Sequence, residues 1–377
     1  MKLGYRPALD GVRAVAITLV VLRHATGYPA SGAFGVDVFF VLSGFLITSL
    51  LLDERFRYGA VSLRNFYGRR ALRLLPALIA MLAFFLGVSI VAYLRHGEAL
   101  AKPAFGVVAG LGYFTNLALT THGGVSAMPP ALTHLWSLAA EEQFYIVWPA
   151  LLFVVLRARL RLAGIVLVCG IALMMAEQLR LLLDGTWSPR IEYGVDTRST
   201  SILVGCLLAV LLASGLRPNV EALGRRFGVV GVALLAALVV VDFGRARYAG
   251  PLLLVGIASA ALILCALDSG SWTSRLLALA PLVFLGRISY ALYLWHIPIL
   301  ALFGISHPEV SFRVVPAVAV AVGCAIGSYY LVEKPFLRRK QRLVHAPAET
   351  AEAPERGADP RGTLTPRTTE PAASPAA

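Results

Sequence analysis

An arginine and a histidine, Arg13 and His24, sit eleven residues apart in the apolar stretch LDGVRAVAITLVVLRHA near the start of this chain. In a helix that spacing is about three turns, which puts both side chains within about 20° of one face and about 16 Å apart along the axis. Ionisable groups inside such a stretch are costly and normally face a cavity or a partner. Two on one stripe suggest a polar path running through the protein, and imidazole is the usual general base near neutral pH. The plainer reading is that His24 sits at one interface and Arg13 snorkels to the other. Asp37, in GVDVFFVLSGFLI, is placed to orient or charge-stabilise His24 across the short 26–33 turn. Alternatively it is a helix-start charge favoured by the macrodipole. Ser43 and Gly44 beside it read as close helix packing.

The segment HLWSLAAEEQFYIVWP carries the densest set of polar groups. His134, Ser137, Glu141 and Tyr145 fall at i, i+3, i+7 and i+11, one stripe of a helix, while Glu142 points to the other face. Such a row is expensive to keep at membrane depth without a job; the alternative is an interfacial helix start with an aromatic belt. In FYGRRALRLLP, Arg69, Arg70 and Arg73 form either a topology signal or a clamp for the phosphates of a nucleotide-like donor, since Arg pairs with phosphate in bidentate fashion. Asp196 and Arg198 in YGVDTRST are spaced for a local ion pair. Ser289, Tyr293 and His296 in LGRISYALYLWHIP share a face at i, i+4 and i+7. Glu333 and Lys334 in VEKPFLRR read as an interfacial pair. Cys169, Cys206, Cys265 and Cys324 each lie within apolar sequence, without metal-ligand spacing or a disulfide framework, and read as packing residues.

The elements that must position these groups are membrane helices. Of 377 residues, 58% are hydrophobic and 15% charged, against about 25% charged in a soluble domain, and the mean hydropathy is +0.74. The apolar residues come in blocks long enough to cross a core of about 30 Å as helices, and lipid leaves no free backbone group satisfied. The short alternating strands of a barrel are absent. The net charge of +13 does not indicate nucleic-acid binding, because the basic residues cluster in short loops, where they set membrane orientation. The first block carries Asp10, Arg13, Arg23 and His24 and reads as a retained span, not a cleavable signal.

The expected fold is therefore an all-α polytopic bundle with eleven apolar blocks. These run approximately over 8–27, 33–52, 74–94, 104–120, 143–156, 163–183, 200–213, 227–243, 252–267, 282–303 and 314–332. Arginines in 53–73, 157–161 and 217–226, then Arg275 and the 334–342 cluster, place those segments and both termini on the cytoplasmic side. Parity then requires about ten full crossings and one segment that dips in and returns. The short, glycine-containing 104–120 block is the candidate; the alternative is an ordinary span with a local break in the charge rule. Residues 1–342 form one membrane domain, and 343–377, rich in Pro, Ala, Thr and Glu, form a tail expected to be disordered.

Together, LDGVRAVA with Arg13 and His24, GVDVFFVLSGFLIT, FYGRRALRLLP, HLWSLAAEEQFYIVWP, LGRISYALYLWH and VEKPF resemble, in order, the acyltransferase-3 family of integral membrane acyltransferases. The resemblance covers about residues 4 to 342. It implies an enzyme that moves an acyl group, typically acetyl, from cytoplasmic acyl-CoA to a hydroxyl of a carbohydrate or of a glycosylated or polyketide acceptor. No metal or redox cofactor is implied. His24 would act as general base or accept the acyl group transiently, with Asp37 and Glu141 as the other catalytic candidates. Arg13, Arg69, Arg70 and Arg73 would hold the donor. Ser137, Tyr145, His134, Asp196, Arg198 and His296 would line the acyl path or the acceptor site. No appended hydrolase-like domain, which some relatives carry, is expected within this sequence. The rival is a polytopic transporter using the same stripes as a solute path; paired repeats and broken helices would mark it, and neither is evident in the sequence.

Overall fold

A computed structural model describes residues 4–338, except 122–123, 157–159, 186–187, 215–219, 306 and 309. The expected tail and part of the 157–161 loop lie outside these residues. Every regular element among them is helical. In chain order these are α1 (Pro7–Thr26), α2 (Phe34–Tyr58), α3 (Leu63–His96), α4 (Ala101–Leu111), α5 (Thr115–Thr120), α6 (Gly124–Ala127), α7 (Leu135–Leu156), α8 (Leu160–Leu183) and α9 (Pro189–Tyr193). There follow α10 (Val195–Arg198), α11 (Thr200–Ala213), α12 (Val220–Val240), α13 (Gly250–Leu267), α14 (Trp272–Leu277), α15 (Ala280–Arg287), α16 (Ser289–Leu302) and α17 (Val314–Gly327). The last runs on through a π-helical stretch, Ser328–Glu333.

The sequence explains the ends of the first helices. Pro7 occupies the first turn of α1, where its missing N–H costs nothing. Gly27, at φ 82°, stops it by returning its N–H to the Arg23 carbonyl. The Ser62 hydroxyl accepts the Asn65 N–H at the start of α3.

Among the described residues, six helices are long and apolar enough to cross a membrane: α2, α3, α7, α8, α13 and Val314–Arg338. The chain is a multi-pass membrane protein. A seventh span arises if α15 and α16, which meet at 67°, count as one. Ten full crossings are not confirmed. At about 1.5 Å per residue, the 14 residues of α11 fall short of a bilayer core, and α1 carries Asp10, Arg13 and Arg23. The 104–120 block divides into α4 and α5 at Tyr113, whose φ is 53°, and neither piece is long enough to span. Its glycines have a packing role: a Cβ on Gly106 would lie 2.5 Å from Pro129. The sharp break falls instead within the 282–303 block, so the expectation of unbroken helices is corrected at Ile288.

Burial separates the interior from the face turned to lipid. Of its most apolar window, 78% of α2 is buried, against 28% of α3 and 22% of α8. α2 crosses α11 at Gly44 and Gly205, where added Cβ atoms would come within 2.1 Å of the Ile202 carbonyl and 2.0 Å of the Val41 carbonyl. α1 packs on α2, α15 and α16. Gly286 seats α15 against α1 so closely that a Cβ would meet the Asp10 carbonyl at 1.9 Å. Thus α1, which carries Arg13 and His24, is fixed between the α2–α11 pair and the broken α15–α16 element.

Candidate active site

A cavity of about 1230 Å³ enters the bundle from the α2–α3 turn. Asp53, Glu54, Arg57 and Ser62 line its mouth; Arg13, Ser43, Arg73, Glu141, Tyr145 and Tyr293 line its interior. The three-arginine cluster opens into it as expected, but its members differ. Arg69 reaches Glu54 at 3.4 Å. Arg70 donates to both carboxylate oxygens of Glu142 at 2.5–3.0 Å and stacks over the Tyr145 ring at 3.5 Å. Glu142 therefore points to α3, and its partnership neutralises one member of the expected clamp. Arg73 makes no ion pair or hydrogen bond among the described residues. The other cation of the interior is Arg13, whose Nε donates to the Ser289 hydroxyl at 3.2 Å. Arg13 and Arg73 are thus the interior cations with no direct ion pair among the described residues, although the carboxylates of Glu141 and Glu333 lie in their electrostatic field.

Glu141 faces the cavity, and Ser43 and Tyr145 line it with Glu141. The packing role read for Ser43 belongs to Gly44; Ser43 itself is part of the site. Asn116 and Gln143 exchange hydrogen bonds at 2.9 and 3.1 Å, which ties α5 to α7 and holds the stripe in register.

Beyond the cavity's deepest residues lies a cluster that the spacing within helices did not join. The Tyr293 hydroxyl donates to the His134 carbonyl, which leaves Ser137 to donate to Tyr293 across 2.6 Å. His134 precedes α7, so its stripe starts in the turn. Its ring stands 5.3 Å from that of His296, which in turn stands 5.2 Å from His24. His24 Nδ1 and His296 Nε2 are 3.2 Å apart. Neither ring nitrogen of the buried His134 has a partner in hydrogen-bond geometry. The Leu294 carbonyl nearby lacks its helical donor because Pro298 has no N–H. The three histidines form no group able to hold a metal ion among the described residues. Helix α16 thus joins three strands of the sequence reading. Ser289 meets Arg13, Tyr293 meets Ser137, and His296 meets His24.

Three expectations are corrected. Asp37 does not face His24; it is fully buried and accepts from Arg198 at 3.1 and 3.2 Å and from Ser201 at 3.0 Å. Helix α2 aims it at the α10–α11 corner, where the Arg198 guanidinium also lies against Trp136 and Tyr248. Asp196 does not pair with Arg198; it pairs with Arg190 at a half-exposed position away from the cavity lining. Glu333 is no interfacial partner of Lys334. It is buried, with one carboxylate oxygen unpartnered and in the electrostatic field of Arg73 and Arg13, whereas Lys334 lies over the Tyr330 ring at 4.8 Å.

The comparisons with known proteins bear on what this arrangement serves. YrhL of Bacillus subtilis, a candidate peptidoglycan O-acetyltransferase, is 35% identical over 355 residues, 88% of this chain and 55% of YrhL. Peptidoglycan O-acetyltransferase OatA of Listeria monocytogenes is 34% identical over 354 residues, 88% of this chain and 56% of OatA. O-acetyltransferase OatA of Staphylococcus aureus is 32% identical over 310 residues, 78% of this chain and 51% of OatA. The chain therefore spans about half the length of the relatives it matches. No solved structure matches it. A family model described as an acyltransferase domain matches residues 6–333, which takes in every residue of the cavity interior and of the histidine cluster, and the chain belongs to the acyltransferase-3 family.

Proposed function

We propose that this protein transfers an acetyl group from cytoplasmic acetyl-CoA to a hydroxyl of a cell-surface carbohydrate, with peptidoglycan the leading candidate because relatives are named for it. The observation that carries this reading is the cavity itself. Two cations that make no direct ion pair among the described residues, Arg13 and Arg73, lie along it, and a histidine cluster stands behind Ser137 and Tyr293 at its inner limit. Phosphates of the donor bind the arginines, and the narrow pantetheine arm extends inward. His24 takes the proton of the acceptor hydroxyl as its oxygen attacks the thioester carbonyl. The C–O bond forms, the C–S bond breaks, and the CoA thiolate leaves and takes up a proton. Positive loops at 53–73 and beyond 334 support a cytoplasmic donor mouth and cytoplasmic termini. The step calls for no metal or redox cofactor.

Purified protein incubated with acetyl-CoA tests this directly. Free CoA should appear slowly and be accelerated by muropeptides or glycan oligomers, with acetate recovered as an ester on the sugar. A broken helix such as α15–α16 is also a feature of transporters. Uptake of the glycan by proteoliposomes without any CoA release would favour that reading and sink this one.

The arginines should separate. Arg73→Ala removes a charge-assisted contact of about 1.5–3 kcal/mol and should raise the KM for acetyl-CoA roughly tenfold to a hundredfold, leaving that for the acceptor unchanged. Arg70→Ala should instead lower the amount of folded protein, because it strands Glu142. Equal effects of the two substitutions on KM, at normal protein levels, would return all three arginines to a common clamp.

A further inference from the structure

Beyond the lining role expected for His296, its hydrogen bonds dictate where the protons sit on His24. Its Nδ1 lies 2.7 Å from the Tyr293 carbonyl and 3.1 Å from the Leu292 carbonyl. Carbonyl oxygens only accept, so Nδ1 carries the hydrogen. The ring is fully buried, and no carboxylate pairs with it among the described residues. A second proton would therefore place an uncompensated charge in the apolar interior, at a cost of several kcal/mol or more. The ring is neutral, and its Nε2 presents a lone pair.

That lone pair faces Nδ1 of His24 at 3.2 Å. The contact is a hydrogen bond only if His24 Nδ1 donates, and a neutral His24 then holds its other lone pair at Nε2. We infer that His296 is a positioning residue that locks His24 in the Nδ1–H tautomer, so that Nε2 is the basic atom offered to the acceptor hydroxyl. It does by a neutral acceptor what a buried carboxylate does for the histidine of a catalytic triad, where the wrong tautomer alone can cost about 10⁴ in turnover. As His24 becomes cationic, its Nδ1–H bond to His296 tightens, so the same contact favours the transition state. The chain of constraint runs from the α16 backbone through His296 to His24. It works because α16 is seated on α1 and α17 and cannot rotate without breaking the Arg13–Ser289 and Ser137–Tyr293 contacts.

The catalytic half of this inference rests on the proposed acyl transfer; the tautomer does not. Nitrogen NMR of histidine-labelled protein in bilayers reads the tautomer without turnover, with His24→Ala and His296→Ala variants assigning the signals. Protonated Nδ1 and bare Nε2 on both rings are expected. Two substitutions then test the role. His296→Met fills the space without an acceptor at the right place, and should mix the His24 tautomers and lower kcat by about 10² while leaving the KM for acetyl-CoA unchanged. His296→Gln can present an amide oxygen near the Nε2 position, and should keep the His24 tautomer and restore kcat to within about tenfold of the parent. A protonated Nε2 on His24 of the parent protein overturns the inference. So does a Met variant as active as the Gln variant at equal protein levels.

Discussion

His24→Ala should leave the protein folded and inserted while lowering turnover by about 10² to 10⁴, measured as acceptor-dependent CoA release by purified protein. The imidazole contributes one hydrogen bond, to His296, and its removal leaves a neutral histidine behind, not a stranded charge. Loss of function should therefore outrun loss of stability. His24→Gln keeps hydrogen-bonding capacity without basicity and should be nearly as inactive as Ala. Arg23→Ala is the control for damage to this end of α1. Its side chain points about 100° away and lines a separate hollow with Asp242 and Arg247. Substantial turnover in the Gln variant would mean that His24 holds the acceptor without deprotonating it, and equal loss in the Arg23 variant would reduce the stripe to a structural one.

Asp37→Ala and Arg198→Ala should each destabilise the protein by about 3–5 kcal/mol, because each leaves its buried partner uncompensated. Both ends of this pair are nearly or wholly inaccessible, at 0% for Asp37 and 5% for Arg198. Thermal melts in detergent and yields of folded protein would register the loss. Replacing both residues together with Leu and Met should recover much of it, because an apolar pair of similar volume is often as stable as the ion pair it replaces. Ser201 would then lose its acceptor, which keeps the recovery partial. If the single variants melted normally but had lost turnover, Asp37 would be acting on the chemistry after all, as its position near His24 in sequence had suggested.

What the sequence made legible follows from which forces act along the chain and which act across it. Apolar blocks specify helices because lipid enforces backbone hydrogen bonding, so nearly every expected block has a helical counterpart. Spacing likewise put Ser289, Tyr293 and His296 on one face, and all three turn inward. Spacing says which face a residue occupies, however, and not what that face meets. Arg70 and Glu142 are 72 positions apart, Asp37 and Arg198 161, and His24 and His296 272. Each pairing is decided by helix packing, which a single sequence does not display. Proximity along the chain misled for Asp37 and for Asp196–Arg198, where a nearby charge was available but the helix aimed the side chain elsewhere. The break at Ile288 was hidden for a different reason. Its residues are as apolar as a continuous span, with no proline at the bend, and the angle comes from Gly286 letting α15 lie against α1.

That bend gives α16 a mechanical character. Helix α15 is held to α1 by backbone contact at Gly286, whereas α16 begins afresh after Ile288 and departs at 67°. Ser289 sits at the pivot end and His296 about 10 Å further along the axis, with Tyr293 between them. A small tilt about Ile288 therefore barely shifts the Arg13 contact, moves the Ser137 contact by an intermediate amount, and displaces the His24 contact most. Any tilt about Ile288 would therefore move the histidine contact several times further than the arginine contact, because His296 lies seven residues beyond Ser289 along the same helix.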